Sequence, residues 1–144
     1  MLHDAHRAPQ RSPTTVLVVE DDGDLRELVV DTLRRDGYVV LAAGSASEAA
    51  RILAVMVERR GVDRQVDLVL SDVRMNGGTG LDLAHRLRAT SARLPIILMT
   101  AFPEPDLEVE AEDVGATLLA KPFRLEVLRR AVLTTIAAHV RSLA

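Results

Sequence analysis

Five side chains in this 144-residue sequence are of types that can together handle a phosphoryl group. They are the acids Glu20, Asp21 and Asp72, the hydroxyl of Thr100 and the amine of Lys121. Each stands where an apolar run gives way to polar residues: Glu20-Asp21-Asp22, Ser71-Asp72, Thr100-Ala101 and Lys121-Pro122. Singly, each has an ordinary structural reading. Acids before a helix suit the positive end of its dipole, and an Asp at a strand end commonly serves a turn. Jointly that account weakens. Three carboxylates pushed together raise one another's pKa unless a cation sits among them. Oxygen donors without His or Cys suit a hard ion, Mg²⁺ rather than Zn²⁺. A lysine and a hydroxyl beside that ion supply charge and a hydrogen bond to a bound anion, as phosphoryl transfer requires.

The elements that must position these groups alternate from residue 14 onward. Thr15 to Val19 is a short β-branched run of the kind buried on both faces of a parallel sheet. Asp24 to Asp36 has helical spacing, with Leu25, Leu28, Val29, Thr32 and Leu33 on one face, an Asp24-x-x-Glu27 start like a capping box and Gly37 as stop. Tyr38 to Ala42 predicts a second strand. Ser45-x-x-Glu48 opens a second helix with Ala46, Ala49, Ala50, Leu53 and Val57 inward. A charged connection, 58–65, precedes a third strand, Val66 to Ser71. A third helix starts at Thr79 or Gly80 and buries Leu83, Ala84 and Leu87. Pro95 to Thr100 and Thr117 to Ala120 complete the strands. Residues 104–114, with six acids, predict a poorly formed helix, and Arg124 to about Arg141 a long final one with Leu125, Leu128, Val132, Thr135 and Ile136 inward.

Five βα units with short connections imply an α/β fold, a doubly wound five-stranded parallel sheet with helices on both faces. Ligands of such sheets sit beyond the carboxyl ends of the strands, where all the singled-out residues lie. Residues 1–13 lack periodicity and read as a flexible tail, in which a metal clip by His3 and His6 is the less favoured reading. Residues 14–144 read as one domain.

Composition narrows the function. A net charge of −3 gives no basic footprint for nucleic acid, and two Phe, one Tyr and no Trp disfavour base stacking. No apolar run reaches the roughly 20 residues of a membrane span, and the first 13 residues have no signal-peptide core. The absence of cysteine suits a cytoplasmic protein.

Four segments give a specific resemblance. Val16-Leu-Val-Val-Glu-Asp-Asp22, Asp67-Leu-Val-Leu-Ser-Asp-Val-Arg-Met75, Leu98-Met-Thr-Ala101 and Lys121-Pro-Phe123 resemble the signature segments of bacterial response-regulator receiver domains. The spacings agree: 51 residues from Asp21 to Asp72, 28 more to Thr100 and 21 more to Lys121. The resemblance implies a flavodoxin-like strand order 2-1-3-4-5. It implies that Asp72 takes a phosphoryl group, with Mg²⁺, from a sensor histidine kinase or a histidine phosphotransfer protein. By the same resemblance Asp21 binds the ion directly, Glu20 through water, and Arg74 through its backbone carbonyl, while Thr100 and Lys121 hold the phosphoryl oxygens. Phosphorylation would then alter binding to an output partner, with no external product.

Some positions depart from the family. Asn76 stands where proline is common, so the Asn76-Gly77-Gly78 loop is expected to be more mobile. Leu118 stands three before Lys121, where the family usually carries a Tyr or Phe that swings inward. Two rivals stay open: a degenerate receiver that works without phosphorylation, against which the intact acceptor set argues, and a phosphohydrolase using Asp72. The hydrolase class wants a second acid two residues after its nucleophile, where Arg74 stands. No Gly-rich phosphate loop follows the first strand, against a nucleotide-binding domain. With no room for an output domain after the last helix, either a stand-alone receiver or one excised from a longer regulator is expected.

Overall fold

In the computed structural model, residues 14–58, 65–75, 78–91 and 93–142 are described. The expected tail 1–13, most of the charged connection and the Asn76-Gly77 tip lie outside the described residues. The chain runs β1 (Thr15–Val19), α1 (Gly23–Arg35), β2 (Val39–Ala43), α2 (Ala46–Glu58), β3 (Leu68–Asp72), β4 (Arg74–Met75), β5 (Gly78–Thr79), α3 (Gly80–Thr90), β6 (Ile96–Thr100), α4 (Pro105–Asp113), β7 (Thr117–Ala120) and α5 (Leu125–Ser142). The sheet is parallel in the order β2-β1-β3-β6-β7, which is 2-1-3-4-5 when only its own strands are counted.

Alternation along the central strands builds a core on each face of the sheet. Val16, Val18, Leu68, Leu70, Ile97 and Met99 pack under α1 and α5, with Val29, Leu33, Leu128 and Val132. Leu17, Val19, Val69, Ile96 and Leu98 face the other side, against Ala49, Leu83, Ala84 and Leu87 of α2 and α3. Each fully buried Leu or Ile contributes about 1.5–3 kcal/mol relative to exposure. The three central strands are buried throughout, so the register is tightly specified.

Local departures from the expected elements have physical causes. Helix α1 begins earlier because Asp22 caps it, its Oδ1 accepting from the N–H groups of Asp24 (3.1 Å) and Leu25 (3.3 Å). The cap therefore lies two residues before the Asp24 box. The buried face is Val29, Val30 and Leu33, and Leu28 is exposed, because packing against the sheet sets the helix rotation. Leu125 is likewise exposed, while Leu128 and Val132 of α5 are buried. At α2, Ser45 Oγ accepts from the Glu48 N–H and Glu48 Oε2 from the Gly44 N–H, the expected box shifted back by one donor. The acidic stretch expected to be poorly formed is a nine-residue helix, α4. Pro105 sits in its first turn, the acids Asp106 and Glu108 complement its dipole there, and Ala111 is buried. A two-residue antiparallel ladder, Arg74 with Thr79 and Met75 with Gly78, was not expected from the sequence. It folds the loop after β3 back to the start of α3.

Candidate functional site

Where β1 and β3 end side by side, the apolar runs give out and carboxylates begin. Oxygens of Glu20, Asp21 and Asp72 lie within 4.8 Å of one another. Glu20 is fully buried, Asp72 is buried at the last position of β3, and Asp21 faces solvent. Glu20 is fixed along its length: its N–H donates to Ala43 O (3.0 Å), and its carbonyl accepts from the Arg26 guanidinium (2.7 Å). Lys121, just after β7, reaches across two strands. Its Nζ donates to Glu20 Oε1 at 2.5 Å and lies 3.2 Å from Asp72 Oδ2. The Lys121 N–H donates to Thr100 O at 2.7 Å, which ties the lysine to the end of β6.

Opposed effects set the electrostatics of this cluster. Glu20 and Asp72 are withdrawn from water and share the Lys121 ammonium, while Asp21 stands beside them at the surface. Burial pushes the Glu20 carboxyl up to about 7, with the neighbouring Asp72 adding to the rise and Lys121 opposing it. For Lys121, burial alone would lower the pKa, but the Glu20 hydrogen bond and the charge of Asp72 outweigh it and raise the value. An oxygen-only cluster of three carboxylates fits a hard divalent cation, which Glu20, Asp21 and Asp72 could hold.

The remaining expected residues lie close by. Thr100 is buried at the end of β6, and its Oγ1 accepts from the Phe102 N–H at 3.0 Å. Arg74 lies on β4 with an exposed side chain, two residues past Asp72. Asp22, the helix cap, is exposed and is not a member of the carboxylate group. Leu118 on β7 is partly buried against the core on the α2 and α3 side of the sheet.

Two residues that the sequence reading did not single out also shape the site. A Cβ on Gly80 would stand 2.1 Å from the Asp72 carbonyl oxygen and 2.8 Å from Ser71 Oγ, so only glycine admits α3 this close to β3. Its position right after Thr79, the α3 cap, was the available signal. Arg26, six residues past Glu20, lay hidden on a helix that reads as amphipathic.

Residues 16–133 match the response regulator receiver domain family. The chain is 40% identical over 125 residues to the response regulator protein FleR of Pseudomonas aeruginosa, covering 86% of this chain and 24% of FleR. It is 30% identical to sporulation initiation phosphotransferase F of Bacillus subtilis, covering 81% of this chain and 89% of that one. Some relatives are much longer, and the chain also spans only 45% of the phosphate regulon transcriptional regulatory protein PhoB of Pseudomonas aeruginosa. Among solved structures, the chemotaxis protein CheY4 of Vibrio cholerae superposes with a TM-score of 0.74 at 32% identity, covering 86% of this chain and 99% of CheY4. The response regulator TrrA of Thermotoga maritima, in complex with Mg²⁺-BeF, gives 0.69 at 26% identity, covering 85% and 98%.

Proposed function

Because the chain belongs to the response regulator receiver domain family, a signalling family, we propose that Asp72 is its phosphoacceptor. The observation that carries this reading is the Asp72 carboxylate at a strand end, within reach of Lys121 and beside two further acids. A Mg²⁺ ion held by Asp21, Asp72, the Arg74 backbone carbonyl and, through water, Glu20 would neutralise charge on the phosphoryl oxygens. Asp72 supplies the attacking carboxylate oxygen. Lys121 turns its ammonium to the incoming phosphoryl group, and the Thr100 hydroxyl donates to one of its oxygens. Gly80 keeps the backbone of Asp72 close-packed, so that its carboxylate is aimed before the donor arrives. Positioning and charge neutralisation account for most of the catalysis this transfer needs.

The donor in this reading is a sensor histidine kinase or a histidine phosphotransfer protein. The support is the kinship with response regulators and with a sporulation phosphotransferase. The phosphorylated domain, residues 14–144, changes its affinity for an output partner and acts as a cytoplasmic signalling domain, not as an enzyme with an external product. Among the described residues no helix is long and apolar enough to cross a membrane. The test is incubation with Mg²⁺ and a small phosphodonor. One phosphoryl group per chain is expected, only with the divalent ion present, and Asp72→Asn abolishes it because an amide is neither nucleophile nor anionic ligand. Full stoichiometry in Asp72→Asn would overturn the assignment.

A further inference from the structure

Strand β1 ends at Val19, whose ladder partners are Ala43 and Ser71, so the peptide joining Glu20 to Asp21 lies just beyond the sheet. A side chain holds its carbonyl. Arg26, half-buried near the start of α1, donates from Nη1 to Glu20 O at 2.7 Å, and the Arg26 N–H donates to Asp22 O at 2.9 Å. Together these bonds close the turn that carries the two acids. A second turn makes room for the guanidinium. A Cβ on Gly44, just after β2, would stand 3.3 Å from Nη1, the nitrogen that makes the Glu20 bond. The φ of Gly44 is not positive, so its backbone does not call for glycine, whereas the space taken by Nη1 does. The Gly44 N–H is in turn held by Glu48 Oε2 at 3.0 Å. The guanidinium thus spans the turns that follow β1 and β2.

Resting on the reading above that Glu20, Asp21 and Asp72 hold Mg²⁺, we propose that Arg26 is a positioning residue for that ion, acting through the Glu20–Asp21 peptide in the space that Gly44 leaves. A peptide unit is planar, so fixing its carbonyl fixes the directions in which both flanking Cα atoms leave it. The Arg26 bond therefore sets where Glu20 and Asp21 present their oxygens relative to Asp72. Without it the turn can rotate, and part of the binding free energy goes into ordering it. Position and charge predict opposite signs here. Loss of a nearby positive charge alone would favour a cation, whereas loss of the positioning bond weakens its binding.

Mg²⁺ is titrated calorimetrically into the full chain and its variants, and labelling by acetyl phosphate is followed against Mg²⁺ concentration. Arg26→Met keeps the stem and loses the donors. It is expected to weaken Mg²⁺ binding by about ten-fold, as loss of a group that orients metal ligands does. The half-saturating Mg²⁺ for labelling should rise by the same factor, so that excess ion overcomes the loss. Arg26→Lys, which keeps a donor and the charge, recovers most of the affinity. Gly44→Ala presses on Nη1 with the arginine in place and weakens binding in the same direction by less. It decides the matter should Arg26→Met fail to fold. Affinity that is unchanged or tighter in either folded variant, or labelling that excess Mg²⁺ does not restore, would overturn the positioning role. An unsubstituted chain that binds no Mg²⁺ would instead overturn the cation reading on which it rests.

Discussion

The two ends of the β-sheet arrange their charged groups in different ways. At the amino-terminal end, the chain satisfies its charges itself. Arg88 donates to the carbonyls of Ser91, Leu94, Val114 and Gly115, binding the ends of α3 and α4 to the loop before β6. Asp67 accepts from the Thr15 N–H there, at 2.8 Å. Arg88 also supplies a positive group to the carboxyl end of α4, whose last turn has no basic residue of its own. At the carboxyl end, Glu20, Asp21 and Asp72 converge with Lys121 as the cation that reaches two of them, and the Glu20 carboxyl is pushed up to about 7 by burial. One end ties a single arginine to backbone carbonyls of several segments, and the other gathers three carboxylates, two of which share one lysine.

The largest effect that would break this contrast lies at the amino-terminal end. Arg88→Met leaves four carbonyls without their donor and is expected to lower unfolding stability by about 2–4 kcal/mol in urea titrations. The folded fraction should still take a phosphoryl group on Asp72. A loss below about 0.5 kcal/mol would mean that the far end does not depend on this residue.

A smaller effect follows at the carboxyl end. Glu20 has a folded pKa above its unfolded value of 4.5, so the folded state binds more protons between those values. Its contribution is thus favourable at low pH and is lost as pH rises from about 4.5 to about 7, by about 1–3 kcal/mol. The raised pKa of Lys121 acts elsewhere, since the stability it brings is lost only above 10.5. Stability curves of the ion-free protein across this range check the point. Glu20→Gln should flatten the decline, and an unchanged slope would place its origin outside the cluster.

The smallest effect concerns what joins the site to the surface. Leu118 has no hydroxyl to satisfy and is already packed against the core, so it should keep its rotamer in both states. Phosphorylation should instead change order in residues 101–114, where α4 has no side-chain cap at its amino end. Hydrogen exchange with a phosphoryl mimic is expected to shift protection there by up to about ten-fold, or ~1.4 kcal/mol. Unchanged protection across 101–114 with a rotamer change at Leu118 would point to the family's usual aromatic-type switch.

The strand ends were the most legible part of the chain. A continuous apolar run closed by a polar residue reports both a buried strand and the edge where its side chains meet water, so Glu20, Asp72, Thr100 and Lys121 could be placed from one-dimensional information. Helix rotation was less legible. Leu28 and Val30 each fit an apolar stripe, and only packing against the sheet decides that Val30 is buried and Leu28 exposed. At α4 a helix was expected from the acidic segment, and what the local pattern did not report is the distant Arg88 that holds its carboxyl end. Gly80 and Arg88 act through contacts with residues far along the chain or across an element boundary, and no local pattern reports those.

Cation binding by the carboxylates at the carboxyl end is tested most directly by calorimetric titration of Mg²⁺ into the unsubstituted chain, Asp21→Ala and Asp22→Ala. Asp21 shares the cluster with Glu20 and Asp72, whereas Asp22 is occupied in capping α1. Asp21→Ala should weaken binding by about ten-fold or more, on the order of 1.4 kcal/mol, and Asp22→Ala should leave it nearly unchanged. Equal losses in the two variants, or no Mg²⁺ binding by the unsubstituted chain, would contradict the account.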